Sequence, residues 1–388
     1  MDAFKTMQKH YQQRDLAARE WKEKGGKVAG YFCNNVPEEV ILAAGLFPLR
    51  ISGDPWGGTE VADRYTEPFY EPDVRSVFNM LLTGRYDFLD FLIIPHSRDA
   101  ILALYYHLRK MKQIDPTLHL PNLHLFDILH TRFWMTGLYI RDRVRELKRK
   151  LEEWSGKEIS NESLSRAIAI GNENKMLLKK VAALRAAEPP RISGVEALQI
   201  IGSSMFMLKE EHNKLLRQFL KEAGRLPAKD GVRLFVEGSP IDNLQFYELV
   251  ESCNATIVGE DNCWGNRYSN DPVDLSLDPL EAIAERYHLK SPCPRMHSMD
   301  RRVEYCLQSA VEAKAQGVIF FFLEWDNAPA WEYPDQKKAL EEKGIPTLCF
   351  EMQKYFLSDP ERERLRTRIE QFVEAIGVEK KSANSCNS

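Results

Sequence analysis

The chain has 388 residues, 44% hydrophobic and 28% charged, with a formal net charge of -4, which is enough apolar material for two packed domains with a helical insert. An acidic balance without a basic stripe excludes a nucleic-acid surface, because phosphate binding needs concentrated positive charge. No run of 18 apolar residues and no apolar stretch behind the N-terminus occurs, so the expectation is a cytoplasmic chain that neither spans a membrane nor is secreted.

Taken in order, Asp2 to Lys24 reads as a capping helix, apolar at Phe4, Met7, Tyr11, Leu16 and Trp21 and closed by Gly25-Gly26. Val28 to Cys33 reads as a strand. Pro37-Glu38-Glu39 then starts a helix that runs to Gly45, with acids in its first turn. Leu46 to Ile51 gives a second strand, Pro72 onward a helix, Phe88 to Pro95 a third strand, His96-Ser97-Arg98-Asp99 the opening of the next helix, and Pro121 to Ile128 a fourth strand. From about Thr131 to Gly224 the pattern is helical, broken at Glu188-Pro189-Pro190 and Gly194. Its basic cluster, Lys148-Arg149-Lys150, reads as a solvated helix face.

The second half repeats the plan, with strands at Val232 to Val236, Ala255 to Val258, Val318 to Leu323 and Thr347 to Phe350. A helix from Asp359 to Ile376 follows, and Glu379 to Ser388 reads as a frayed end. Strands alternating with helices imply crossover connections. The expected fold is therefore α/β, two doubly wound lobes with parallel sheets joined by a helical middle segment. The divisions are an N-terminal lobe over 1–130, a helical segment over 131–230 and a C-terminal lobe over 231–388.

Polar clusters fall just past the strands: Cys33-Asn34-Asn35, His96 to Asp99, Glu237 to Asn243, Gly259 to Arg267, and Glu324-Trp325-Asp326-Asn327. Ligands bind at the carboxyl ends of strands in open α/β sheets, so these loops predict a cleft site. Ser239, in a glycine-serine turn, is a candidate for binding an anionic group. Gly259-Glu260-Asp261-Asn262-Cys263-Trp264-Gly265-Asn266-Arg267 is the densest cluster, and Asp261 and Arg267 are candidate substrate-binding groups. The plain alternative is a turn held by Asp261 and Gly265 with Cys263 as a small buried hydrophobe. Trp56, Tyr65, Tyr70, Phe78 and Trp134 are either an aromatic-accepting pocket or ordinary core. The chain has no GxGxxG or GxxxxGK[ST] phosphate loop, no GxSxG elbow, and no CxxC pair among its seven cysteines.

From Gly30-Tyr31-Phe32-Cys33 and Val36-Pro37-Glu38-Glu39, through Gly84 to Asp90, Ile94-Pro95-His96-Ser97, Glu260 to Arg267, Ser291-Pro292-Cys293-Pro294, Gly317 to Phe320 and Gly344 to Leu348, to Leu365 to Phe372, the sequence resembles the 2-hydroxyacyl-CoA dehydratase and benzoyl-CoA reductase family. The resemblance implies a subunit of an oxygen-sensitive heteromer in which homologous subunits hold 4Fe-4S clusters beside an acyl-CoA thioester. It also implies an ATP-dependent activator protein that injects a low-potential electron, giving a ketyl-type radical for hydroxyl loss or ring reduction.

By the same resemblance, three cysteines hold the cluster. Their positions here are Arg98, Cys263 and Asp326. Arginine cannot ligate iron, and aspartate is a hard ligand for a soft cluster. Cys33 and Cys293 are the candidate substitutes, and an Arg98–Asp326 ion pair filling the vacated space is the other option. Under the enzymatic reading Cys263 leads as metal ligand, Arg98 binds a substrate carboxylate or the CoA phosphates, and Glu38 or Glu39 transfers a proton. The competing role for these two acids is to stabilise a helix N-terminus. The competing reading of the chain is a cluster-free, non-catalytic partner or assembly subunit.

Overall fold

The computed structural model describes residues 2–290 and 292–385, with side chains through Val378; Ser291 and the last three residues of the expected frayed end lie outside the described residues. Eight strands form two all-parallel sheets. The first contains β1 (Val28–Tyr31), β2 (Phe47–Arg50), β3 (Phe91–Pro95) and β4 (Asn122–Phe126) in the order β2-β1-β3-β4. The second contains β5 (Val232–Gly238), β6 (Ala255–Asp261), β7 (Gly317–Leu323) and β8 (Thr347–Gln353) in the order β6-β5-β7-β8. The two orders are the same, so β3 and β7 are equivalent central strands.

Both faces of each sheet are covered, which is why the central strands read as unbroken apolar runs. In β7, Val318, Phe320 and Phe322 face the helices Met299–Glu312 and Asn327–Glu341, while Ile319, Phe321 and Leu323 face the core shared with the N-terminal lobe. Each such side chain contributes roughly 1.5–3 kcal/mol on burial. The shared core also holds Phe47, Leu92 and Ile94 of the first sheet, so the lobes are packed against one another.

Four helices over Trp134–Ser155, Asn161–Ala186, Gly194–Ser203 and Lys209–Glu222 make the middle segment. The 161–186 helix is a spine between lobes: Lys175 bonds Glu39 at 3.0 Å and, at its far end, Arg185 bonds Glu260 of β6 at 2.8 Å. Ala282, Ile283 and Tyr287 of the helix Pro279–Leu289 return to the N-terminal lobe and pack with Tyr31, Ile93 and Ile140.

Three elements differ from expectation. The first helix is two, Asp2–Gln12 and Leu16–Glu23, and the last runs to Ser385 instead of 376. Strand β6 continues through Glu260 and Asp261, which were expected in a loop. Buried arginines, Arg185 for Glu260 and Arg267 with Arg302 for Asp261, satisfy both carboxylates inside the sheet.

Candidate functional site

In each sheet the chain reverses direction of growth beside its first strand, so the crevices open between the carboxyl ends of β1 and β3 and of β5 and β7. At the first, Cys33 turns in the left-handed region (φ 54°), and its Sγ lies 3.2 Å from Ser97 Oγ. At the second, Ser239 Oγ accepts the Leu323 N–H at 2.9 Å. The turn before it requires glycine: at Gly238, φ is 126° and a Cβ would stand 2.3 Å from the Phe321 carbonyl oxygen.

Arg98 and Asp326 are equivalent residues, each three past the end of its central strand and each the N-cap of the following helix. The expected Arg98–Asp326 ion pair does not form. Arg98 instead grips Asp73 with both terminal nitrogens, at 3.2 and 2.5 Å, and Asp326 accepts from Arg295 at 2.6 Å. Arg295 also lies 3.9 Å from Glu71, so the charges run from one lobe to the other. Burial opposes ionisation of Asp326, but Arg295 and then Arg98 hold its carboxyl below the usual range. A cavity of about 460 Å³ opens here, walled by Ser97, Arg98, His130 and Arg295 and rimmed by Phe69 and Trp325, whose rings are 6.4 Å apart.

Cys263 is held from the other lobe. Arg50, at the end of β2, donates to its carbonyl oxygen at 2.7 Å and to its Sγ at 2.9 Å, and lies 3.7 Å from the Trp264 ring centroid. Arg50 also walls a second cavity, of about 420 Å³, with Tyr11, Asp54, Trp56 and Tyr86. Burial, then the nearby Cys263, pushes the Cys33 thiol up. Cys293 is the opposite case: burial raises it, but Lys290 and Arg267 outweigh burial and lower it. Lys290 is buried, its Nζ has no hydrogen-bond partner among the described residues, and burial brings it down to about 8. Cys33 is in the field of Cys263 and Arg98, and Asp326 in that of Arg98; of these four residues Arg98 lines the cavity of about 460 Å³.

The other expected site residues lie behind this crevice. Asp261 is fully buried, 2.9 Å from Arg267 and 2.6 Å from Arg302. Arg302 also binds Glu237 at 2.8 Å and Glu332 at 2.9 Å. Burial and then the charge of Asp261 push the Glu237 carboxyl up. Glu38 accepts from Tyr31 at 2.7 Å and Tyr268 at 2.6 Å and pairs with Lys209 at 3.1 Å. Glu39 accepts from Lys175 and Tyr287, each at 3.0 Å. Both acids border an internal pocket of about 10 Å³, room for about one water, and neither lines the two larger cavities. Their partners favour the structural role.

The five aromatics do not form one pocket. Phe78 is core, Trp56 and Tyr70 line different cavities, and Trp134 is 73% exposed.

A model of the 2-hydroxyglutaryl-CoA dehydratase D-component family matches residues 33–376. The chain belongs to that family. It is 26% identical over 364 residues to the (R)-phenyllactyl-CoA dehydratase beta subunit of Clostridium sporogenes, covering 92% of this chain and 93% of the relative. It is 27% identical over 374 residues to a benzoyl-CoA reductase subunit of Thauera aromatica, covering 93% and 94%. With (R)-2-hydroxyglutaryl-CoA dehydratase subunit beta of Acidaminococcus fermentans it shares 27% over 338 residues, 84% of this chain and 87% of the relative.

The iron-sulfur cluster that membership implies does not fit the residues present. Fe–S clusters are held by converging thiolates, and among the described residues no three His, Cys, Asp or Glu side chains converge as a metal-holding set. Cys33 faces Ser97, Cys263 takes an N–H from Arg50, and Asp326 is held by Arg295. Arg50, Asp73, Lys290, Arg295 and Arg302 were missed from sequence. The available signal was Lys290, at the end of a helix beside the Cys293 loop; Asp73, one residue into a helix, carried none.

Proposed function

We propose that this chain is one subunit of a heteromer acting on an acyl-CoA thioester, either eliminating water from a 2-hydroxyacyl-CoA or reducing a benzoyl-type ring by a ketyl-radical route. The observation that carries the reading is the crevice itself: strand-end loops of both lobes converge on one cavity, in a chain matching family subunits over nearly its full length. Its partners in this reading are a homologous subunit and an ATP-dependent activator. Exposed Phe133, Trp134 and Met135 near the crevice supply an apolar face of the kind that subunits bury between them. Within the complex this chain's own residues bind and enclose. Arg98 and Arg295 present guanidinium edges to the cavity, Phe69 and Trp325 flank its mouth, and the packed core behind excludes water.

The test is anaerobic co-expression with a homologous subunit and an activator of the family, followed by turnover on benzoyl-CoA and a panel of (R)-2-hydroxyacyl-CoA thioesters. Formation of a heteromer that consumes one of them is the expected result. Absence of both a complex and acyl-CoA binding would remove the reading. A second reading, a non-catalytic assembly subunit on the same fold, is favoured by the ion pairs at positions 98 and 326.

A further inference from the structure

We propose that an inter-lobe lattice of ion pairs stands in this chain where an inorganic cluster would sit, so that the chain binds no iron and the two corners of the crevice act as charged latches. The inference rests on the family reading above, and it assigns to this chain the metal-free half of the assembly.

Three observations carry it. The corner residues are equivalent by fold, since Arg98 and Asp326 each follow a central strand by three residues and cap the next helix. Two corners facing one crevice are suited to gripping one object. Here each grips protein instead: Arg98 is bidentate on Asp73, and Asp326 is bound by Arg295. A guanidinium has five donors and no lone pair for iron, so a cluster would have to expel Arg98 and leave Asp73 without its bidentate partner.

The thiols of Cys33 and Cys263, in turn, are each engaged by a protein group. Cys33 and Cys263 have separate partners, Ser97 and Arg50, from the ends of β3 and β2. Cys293 lies on the loop after the helix Pro279–Leu289, in the field of Lys290, Arg267 and Arg295.

The lattice also has a mechanical consequence. Glu71, Asp73 and Arg98 belong to the N-terminal lobe and Arg295 and Asp326 to the C-terminal lobe, and the 3.9 Å Glu71–Arg295 approach with the 2.6 Å Arg295–Asp326 bond spans the gap. The lobes are thereby held by buried charges at the place where a shared inorganic group would otherwise join them. Buried pairs of this kind are weakly screened by salt.

The chain is purified anaerobically, by itself and with its homologous subunit, and iron and acid-labile sulfide are measured before and after reconstitution with ferrous iron and sulfide. Wild type alone is expected to hold less than about one iron per chain, against about four for a 4Fe-4S centre. The double variant Arg98→Cys with Asp326→Cys, checked for native circular dichroism, is expected to gain iron and the corresponding Mössbauer signal. Wild type retaining about four irons per chain overturns the inference, and so does a folded double variant that takes up none. Should the double variant not fold, the wild-type iron content decides alone. Co-purification of the partner and acyl-CoA binding are read separately, so loss of the family reading shows there and not in the iron count.

Discussion

Arg302 is the side chain whose removal tests most of the packing behind the crevice. It is wholly buried and binds Glu237, Asp261 and Glu332 at 2.8, 2.6 and 2.9 Å, and it also donates to the Pro292 carbonyl at 3.1 Å, fixing the loop that carries Cys293. Arg302→Met preserves length and apolar volume but leaves three carboxyls without their common cation. Three charge-assisted bonds at roughly 1.5–3 kcal/mol each would sum to about 5–9 kcal/mol. The sum overstates the loss, because neighbours in one network are not additive: Arg267 still pairs with Asp261 at 2.9 Å. The expected loss is therefore about 3–5 kcal/mol, the range for breaking a buried pair. At about 2.1 cal/mol/K per residue, a loss near 4 kcal/mol lowers the melting temperature by about 5 °C if the whole chain melts together. The loss is pH-dependent. Without Arg302 the carboxyls take up protons more readily folded than unfolded, so the variant recovers relative to wild type as pH falls from neutral toward about 5. Urea unfolding of both proteins at the two pH values measures it. A difference below about 1 kcal/mol, or one that does not shrink in acid, would show that the network is not held by charge.

Three further outcomes follow from individual buried groups. His212 accepts from Asn174 at Nδ1 (2.8 Å) and donates from Nε2 to the Ile200 carbonyl (3.1 Å), and burial lowers it to about 3. Its contribution is complete above about pH 6.5 and is lost as pH falls toward 3, a change on the order of 5 kcal/mol; His212→Gln should flatten this acid limb in urea titrations, and an unchanged limb would count against it. Glu39 is opposed by burial but brought to about 2 by Lys175 and Arg286, so its stabilisation, roughly 3 kcal/mol, is present above about pH 4.5 and lost as pH falls through 2. Glu39→Gln should lower the unfolding free energy at neutral pH by about that amount while leaving the KM for acyl-CoA in the heteromer unchanged, and a raised KM with full stability would reverse the assignment. Arg50→Met and Cys263→Ala, combined in a double-mutant cycle, should show coupling of about 1–3 kcal/mol by urea unfolding; additive losses would mean that the cross-lobe bond carries no energy.

The architecture was legible because both-face burial writes itself as apolar runs, and Gly317 to Leu323 or Phe91 to Pro95 admit few other readings. Strand-end position alone pointed to the crevice, where Ser97 and Arg98 past β3 and Trp325 and Asn327 past β7 line one cavity. What stayed hidden was partnership. Nothing along the chain shows that Asp73, 25 positions before Arg98, and not Asp326, is its counter-ion, because pairing depends on where the helix Pro72–Leu82 lies against the loop past β3. The same holds for Glu260 and Asp261, which read as reactive loop acids until Arg185 and Arg302 arrive from distant helices and let the strand run on through them. A buried charge can be located from sequence by the element that ends beside it, but whether it is free to act is decided by a cation or anion brought in by tertiary packing. In this crevice packing has supplied a partner for both charged corners, and that supply, more than the identity of any one residue, separates an enclosing wall from a metal-holding one.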